Sequence, residues 1–302
     1  RIGMLGDKLG LKVTPKTVAG DDRPELLQNC RGSIYQVNEQ VLSPASLLET
    51  LSAPHADTIL KIDPGQGLEF ISGQADLPPQ VSLRQGDETL LLAPRWIVLA
   101  AGAGNEQLRT QLGLAAAAMQ RRPLHMVLMR GPLPEFYGHC VDGGHTRVSI
   151  TSAVDSQNRV VWQVGGQIAE DGVSWSPDEL IARAKHEIQA VLPALDLREV
   201  EWSTYRVDRA EGLTRLGGRP DSFRLLPEGR ILTVWPTKLV LAPQLAEAVL
   251  VHVAAGRTPA DNLNVKNWSR PYGWPRPAVA LPPWETAEFV PAQGRSTCGA
   301  SS

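Results

Sequence analysis

Trp96-Ile97-Val98-Leu99-Ala100-Ala101-Gly102-Ala103-Gly104-Asn105 is the stretch whose reading decides the fold. An apolar run with β-branched residues inside it and no polar residue reads as a strand buried on both faces, as in a parallel sheet. The run collapses into alanine and glycine before an amphipathic stretch from Glu106 to Leu112, so a tight turn delivers the chain into a helix. Small residues at a strand end let the backbone come close to a ligand, and Gly102 and Gly104 supply that freedom. An ordinary turn where a helix packs on a sheet uses the same residues, and residue types alone favour that plainer reading.

Working outward, Ser43 caps and Pro44 opens a helix that places Leu47, Leu48 and Leu51 on one face. Between that helix and Trp96, four short apolar runs are split by Gly, Pro and Asp: 58–62, 69–71, 80–83 and 89–93. They predict a small meander of strands. Beyond Arg121-Arg122-Pro123, strands are expected over 124–129, 147–151 and 159–164, with Gly143-Gly144 and Asp155 to Asn158 as hairpin turns. Ser176-Pro177-Asp178-Glu179 opens a helix with apolar residues from Leu180 to Leu192 at helical spacing, ended by Pro193. Gly229 to Pro236 reads as strand into turn, and Leu239 to Val253 as a second apolar helix. Residues 1–36 show no periodicity, and the Pro- and Trp-rich tail from Ala255 to Ser302 predicts irregular packing or none.

Composition narrows the function classes. Thirty basic against thirty-two acidic residues leave a net charge of −2, which gives no broad attraction to nucleic acid or anionic membrane, so a small-molecule partner is expected. No apolar run approaches the roughly 18 residues of a membrane span, and no secretory signal pattern is present. Cys30, Cys140 and Cys298 are widely spaced and form no CxxC pair, which predicts neither a disulfide framework nor a metal knuckle, and a cytoplasmic location. His125, His139 and His145 stand without acidic partners at ligand spacing, so no metal site is expected.

The string VLAAGAGNEQL followed by QLGL is similar to the segment with which the D-amino acid oxidase and glycine oxidase superfamily returns its chain beneath bound FAD. A second resemblance covers 176–253: SPDELIARAKHEIQAVLPAL, then WSTYRVDRAEG, GRPD and GRILTVWPTKLVLAPQLAEAVL. Together they span roughly residues 37–253, in matching order and spacing. The resemblance implies FAD as cofactor, with Ala101, Gly102, Ala103 and Gly104 in one cofactor turn. Trp235, Pro236, Thr237, Lys238 and Leu239 lie in another, and Ala242 and Pro243 follow. It also implies an arginine on the strand after the LP helix that grips a substrate carboxylate, and Arg206 matches it. A guanidinium holds a carboxylate with two parallel charged hydrogen bonds, although an ion pair with Asp208 or Glu211 is an equal use for Arg206. Tyr205 and Arg219 are further substrate-side candidates; Arg219 is the poorer, and Tyr205 must face opposite to Arg206 on a strand. Lys238 stands where relatives of the glycine oxidase type usually have Gly, and its ammonium there could offset charge on a reduced flavin or lie exposed at a helix start.

The fold expected is α+β or α/β: a partial FAD-binding domain of glutathione-reductase type (residues 1–120 and 216–256) interleaved with a mostly antiparallel substrate-binding sheet (121–215), then a tail (257–302). Gly3, Gly6 and Gly10 follow no strand and do not read as a GxGxxG loop. Because the chain starts at Arg1, the expectation is a longer reading frame whose upstream part carries that loop, with the 302-residue chain by itself inactive and nearly free of flavin. The activity implied is oxidation of an amino acid or amine by hydride transfer to flavin, with no protein acid or base required if the amine arrives neutral. A non-catalytic remnant or binding module of the same fold is the alternative. Nothing resembles an iron–sulfur ligand set, which disfavours a subunit of a two-chain dehydrogenase. The sequence does not fix the oligomeric state.

Overall fold

A computed structural model describes residues 15–71, 79–255, 271 and 273–291. In chain order its first part runs β1 (Lys16–Val18), β2 (Ile34–Gln36), α1 (Pro44–Ser52), β3 (Leu68–Ile71), β4 (Gln80–Gln85) and β5 (Glu88–Leu92). Then come β6 (Ile97–Leu99), α2 (Asn105–Gln111), β7 (Met119–Arg130), β8 (Tyr137–Asp142), β9 (His145–Val154) and β10 (Val160–Gly165). The rest is α3 (Gln167–Asp171), α4 (Pro177–Val191), β11 (Glu201–Gly212), β12 (Arg224–Glu228), β13 (Ile231–Trp235), α5 (Ala242–Ala255) and α6 (Pro283–Thr286). The chain divides into two compact units that interleave along the sequence. One takes the residues up to Leu48, Leu124–Val207 and those from Ala280; the other takes Glu49–Pro123 and Asp208–Val279.

The first unit is built on a five-stranded antiparallel sheet of order β11-β7-β10-β9-β8. Alternation along each strand sends Val127, Met129, Val148, Ile150, Trp162, Val164 and Trp202 to one face, where α4 covers them with Leu180, Ile181, Ala184 and Ile188. Burial of these side chains, each stabilising by about 1.5–3 kcal/mol, is the main favourable term. The expected capping box starts α4: Ser176 Oγ accepts from the Glu179 amide at 3.3 Å, and the Glu179 carboxylate accepts from the Ser176 amide at 2.8 Å. Part of the tail is ordered against this unit, because Trp202 and Val290 exchange amide hydrogen bonds of 2.8 Å.

The second unit holds a three-stranded sheet, β12-β13-β6, and the expected meander, β3-β4-β5. β6 and β13 run parallel, with Ile97 opposite Ile231 and Leu99 opposite Thr233; β12 is antiparallel to β13. Ile97, Leu99 and Ile231 form a core with Phe70, Val81 and Leu108, and α5 packs Leu245, Val249 and Val253 near Leu232 and Val234. Trp274 is buried, its indole N–H donating to Glu88 at 2.6 Å.

Several sequence expectations are amended here, and β1 and β2 pair within residues 1–36, where no strand was expected. Residues 58–62 form no strand: a 3-10 turn occupies Ala53–Thr58, and the Lys61 amide bonds to the Pro275 carbonyl at 2.9 Å instead of to a neighbouring strand. β8 and β12 were not expected, and both are edge strands; burial alternates from Tyr137 to Val141, but the residue types Tyr-Gly-His-Cys-Val carry no matching apolar alternation, and Pro227 sits in β12, where an edge tolerates the missing N–H. Residues Gly3 to Gly10 lie outside the described residues. Among the described residues no helix is long and apolar enough to cross a membrane.

His125 links the sheet of the first unit to the segment that precedes α4. One imidazole nitrogen meets the Gly172 carbonyl and the other Thr204 Oγ1, each at 3.0 Å, in a buried position. Burial lowers the His125 pKa; the Gly172 carbonyl opposes the shift and the Arg206 charge adds to it. A folded value below the unfolded one of about 6.5 makes the neutral ring a stabilising group above that pH, and the contribution is lost as pH falls through the folded value. Thermal unfolding midpoints of the wild type are therefore expected to fall more steeply between pH about 6.5 and 5 than those of His125→Gln. Parallel curves for the two proteins would show that His125 is not the group responsible.

Candidate functional site

Because β6 and β13 are parallel, both leave the sheet at the same edge, and ligands of open α/β sheets bind at that carboxyl edge. β6 runs through Ala100 and Ala101 into a 3-10 turn at Gly102–Gly104 that feeds α2. β13 runs through Pro236 and Thr237 into a second 3-10 turn, Leu239–Leu241, that feeds α5. The structure thus brings together the two groups of residues that the sequence had separated by more than a hundred positions.

Side-chain bonds tie the two exits to each other. Asn105, fully buried, accepts from the Ala101 amide through Oδ1 at 2.8 Å and donates from Nδ2 to the Val234 carbonyl at 3.1 Å. The buried Trp235 indole donates from Nε1 to the Gly102 carbonyl at 3.2 Å. Behind them Arg109, 1% exposed, donates to Thr233 Oγ1 at 2.8 Å, to the Ala115 carbonyl at 2.9 Å and to both oxygens of Glu228. Neither Asn105 nor Arg109 was legible as a site residue: one reads as a helix-start polar residue, the other as a charge on a solvated helix face.

The outer surface of this edge is backbone-rich. Gly102 has φ +56°, and a Cβ added there would meet no atom within 4 Å, so the space in front of it is open. Thr237 has φ +64°, a left-handed conformation that is unusual for a β-branched residue and costs on the order of 1–3 kcal/mol. Its hydroxyl donates to the Ser222 carbonyl at 2.9 Å, and the Lys238 amide bonds back to the Pro236 carbonyl at 2.6 Å, which holds the strained turn. Ala101, Pro236 and Leu239 are exposed, while Ala103, Gly104 and Lys238 are half-buried. The Lys238 ammonium has no hydrogen-bond or ion-pair partner among the described residues.

The expected substrate-side residues lie elsewhere. Arg206, on β11 of the first unit, is exposed, and its terminal nitrogens donate to the carbonyls of Val173 and Trp175. Neither Asp208 nor Glu211 is its partner: Asp208 faces Arg121, and Glu211 is buried against Arg122. Tyr205 faces away from Arg206, as strand alternation requires, and its hydroxyl donates to Gln163 Oε1 at 2.9 Å. Burial raises the Tyr205 pKa, so the phenol stays protonated near neutral pH. Arg219 is exposed in the loop between β11 and β12. A cleft of about 660 Å³ in the first unit lies beside α4 against Trp175, Arg183 and His186, and none of Arg206, Tyr205 and Arg219 lines it. Among the described residues no group of His, Cys, Asp and Glu is arranged to hold a metal ion.

Two parallel strands with small-residue exits, braced together and open at their carboxyl edge, define an α/β protein of the cofactor-binding class. No protein-family model matches the chain. It is 36% identical over 280 residues to the probable FAD-dependent oxidoreductase PA4991 of Pseudomonas aeruginosa, an alignment that covers 89% of this chain and 66% of that protein. Against the crystal structure of the same relative the TM-score is 0.74 at 34% identity, covering 89% of this chain and 72% of the other. The chain belongs to this family of FAD-dependent oxidoreductases, and it spans just under two thirds of the curated relative's length.

Asn105→Ala removes both cross-bonds and leaves a buried amide and carbonyl without partners, each costing about 1–3 kcal/mol. A loss of about 2–4 kcal/mol in urea unfolding is expected, with faster hydrogen exchange at the Ala101 amide. A variant with wild-type stability and exchange would show that the brace does not hold the two exits.

Proposed function

We propose that this chain is part of a flavin-dependent enzyme that oxidises the carbon beside an amine, in an amine or an amino acid. The observation that carries the reading is the pair of braced exits at Ala101–Gly104 and Pro236–Leu239, with Trp235 buried behind them as one of the braces. FAD fits these residues, because an open Gly102 and a turn held in a strained conformation allow a flat ring system to lie close to main-chain amides. FAD, when bound, supplies the acceptor for the two electrons of the reaction.

The roles of the chain's own residues follow. Residues 49–120 and 216–256 are assigned to cofactor binding, with Ala101 to Gly104 and Pro236 to Leu239 in contact with the cofactor; Leu26, Leu27 and Cys30 pack on the five-stranded sheet instead, and Trp235, fully buried, braces the site without touching its ligand. Residues 121–215 are assigned to the substrate. Lys238, on the second exit, is the cation available to offset negative charge on the cofactor. Arg206 is assigned a tethering role, since its terminal nitrogens already serve two carbonyls of the 172–175 segment. Arg219 keeps a substrate role only if the loop that bears it closes over a ligand. No protein acid or base is assigned, because a neutral amine can lose hydride directly.

Titration of the chain with FAD, followed by flavin fluorescence, tests the cofactor site. Gly102→Val places a β-branched side chain at a left-handed φ and in the open space, a cost of about 1–2 kcal/mol from the backbone alone, and is expected to weaken FAD at least about 10-fold. Anaerobic addition of primary or secondary amines and amino acids to the flavin-loaded protein is expected to bleach the visible flavin band. Unchanged FAD affinity in Gly102→Val would contradict the site, and bleaching by alcohols but by no amine would contradict the reaction.

A further inference from the structure

On the five-stranded sheet of the first unit, the face opposite α4 presents a row of polar side chains. Register places Gln163 of β10 opposite Thr151 of β9, and Thr151 opposite Tyr137 of β8, so the three point the same way. Gln163 and Thr151 are half-buried and Tyr137 is exposed. Gln163 is also opposite the fully buried Leu128 of β7. From β11, on the far side of β7, Tyr205 reaches across the sheet to donate to Gln163 Oε1.

That bond fixes the carboxamide. With Oε1 engaged by a phenol that burial keeps protonated, the Gln163 amide keeps its Nε2 N–H donors for another acceptor. Among the described residues Nε2 and the Thr151 hydroxyl have no hydrogen-bond partner. The cations near this row are committed or peripheral. Arg130, one row along, is paired with Glu201 and Asp155 and lies over the Phe289 ring, and His139 is exposed on the edge strand β8. Among the described residues the donor row has no free cation beside it, which suits an uncharged oxygen acceptor; a carboxylate placed there would lose hydration with no counter-charge from those residues to replace it.

We infer that Gln163, oriented by Tyr205, is a specificity-determining residue that donates to a neutral oxygen of the substrate, and that the substrate class is an amine carrying a carbonyl, amide or ether oxygen instead of a free carboxylate. The inference rests on the reading of this chain as a flavin-dependent oxidoreductase, and it narrows the substrate left open there. Thr151 is the second donor of the row, and Tyr205 acts through Gln163 as a positioning residue.

The test uses the full 302-residue chain without added flavin, with benzamide and benzoate as probes, followed by the side-chain amide resonances of glutamine in nitrogen–proton NMR spectra. Benzamide is expected to shift the Gln163 amide signal and to bind at least about 3-fold more tightly than benzoate, the ratio of roughly one neutral hydrogen bond. Gln163→Leu is expected to weaken benzamide about 3- to 10-fold, and Tyr205→Phe to weaken it less while broadening the Gln163 signal as the amide loses its fixed orientation. Circular dichroism of both variants checks that they fold, and Thr151→Val gives an independent probe of the row if Gln163→Leu does not. Tighter binding of benzoate, or benzamide affinity unchanged in both Gln163→Leu and Thr151→Val, would overturn the inference. FAD affinity is read separately on the same variants and is expected to equal that of wild type. Bleaching of the flavin-loaded enzyme by alcohols but by no amine would count against the functional reading, whereas failure of benzamide to find Gln163 counts against the substrate class alone.

Discussion

The carboxyl edge of β6 and β13 depends on one buried side chain, Asn105, whose amide joins the end of β6 to the end of β13. β6 is only three residues long, and a strand that short contributes few ladder bonds of its own. The groups that leave it, the Ala101 amide and the Gly102 carbonyl, would otherwise face an edge where parallel pairing has ended. Asn105 and the Trp235 indole give them partners, in a buried setting where an unpartnered polar group is costly. The strained Thr237 is tolerable for the same reason: β13 is buried along its whole length, and the turn beyond it is held by the Ser222 carbonyl.

The two units reach rigidity by different physics. The first relies on a continuous apolar face of large side chains, with Trp162 and Trp202 fully buried under α4. The second has shorter strands and smaller apolar clusters, so its ion pairs, Arg109 with Glu228 and Arg122 with Glu211, carry a larger share of the positioning, although the first unit holds comparable pairs of Arg130 and Arg159 with the buried Asp155. Burial alone would raise the Glu211 pKa, but the hydrogen bonds and charge of Arg122, with Gln120 and Arg209, bring it below the ordinary carboxylate value. Such pairs position elements more than they stabilise them, because desolvation offsets much of the attraction. A precise, backbone-lined edge is what a bound ring system would require of this unit.

Much of this was legible in the sequence because certain residues have few other uses. The apolar run from Trp96 to Leu99 reads as a strand with a tight exit and is one, but only Ile97 and Leu99 are buried; Val98 is 40% exposed, so the expected burial on both faces does not hold, while Ser176 with Glu179 could hardly be anything but a capping box. The meander and the strand before Pro236 followed from turn residues. Edge strands β8 and β12 were not legible, because their residue types carry no apolar alternation, and residues 58–62 looked like a strand while their amides bond elsewhere. For the site, residue type was readable and direction was not. Alternation predicted that Tyr205 and Arg206 face opposite ways, but which of them meets the helix side depends on register, and the register gives Arg206 to the carbonyls near α4 and Tyr205 to Gln163. Gln163 carried no signal at all, since its role comes from a partner 42 positions away.

The central claim, that FAD lies against the two braced exits, is tested most directly by hydrogen–deuterium exchange of the protein with and without FAD. The account predicts slowed exchange at two separated stretches, Ala101 to Gly104 and Thr237 to Leu239, with the five-stranded sheet of the first unit unchanged by cofactor alone. Protection confined to other segments, or none at either exit at saturating FAD, would contradict it.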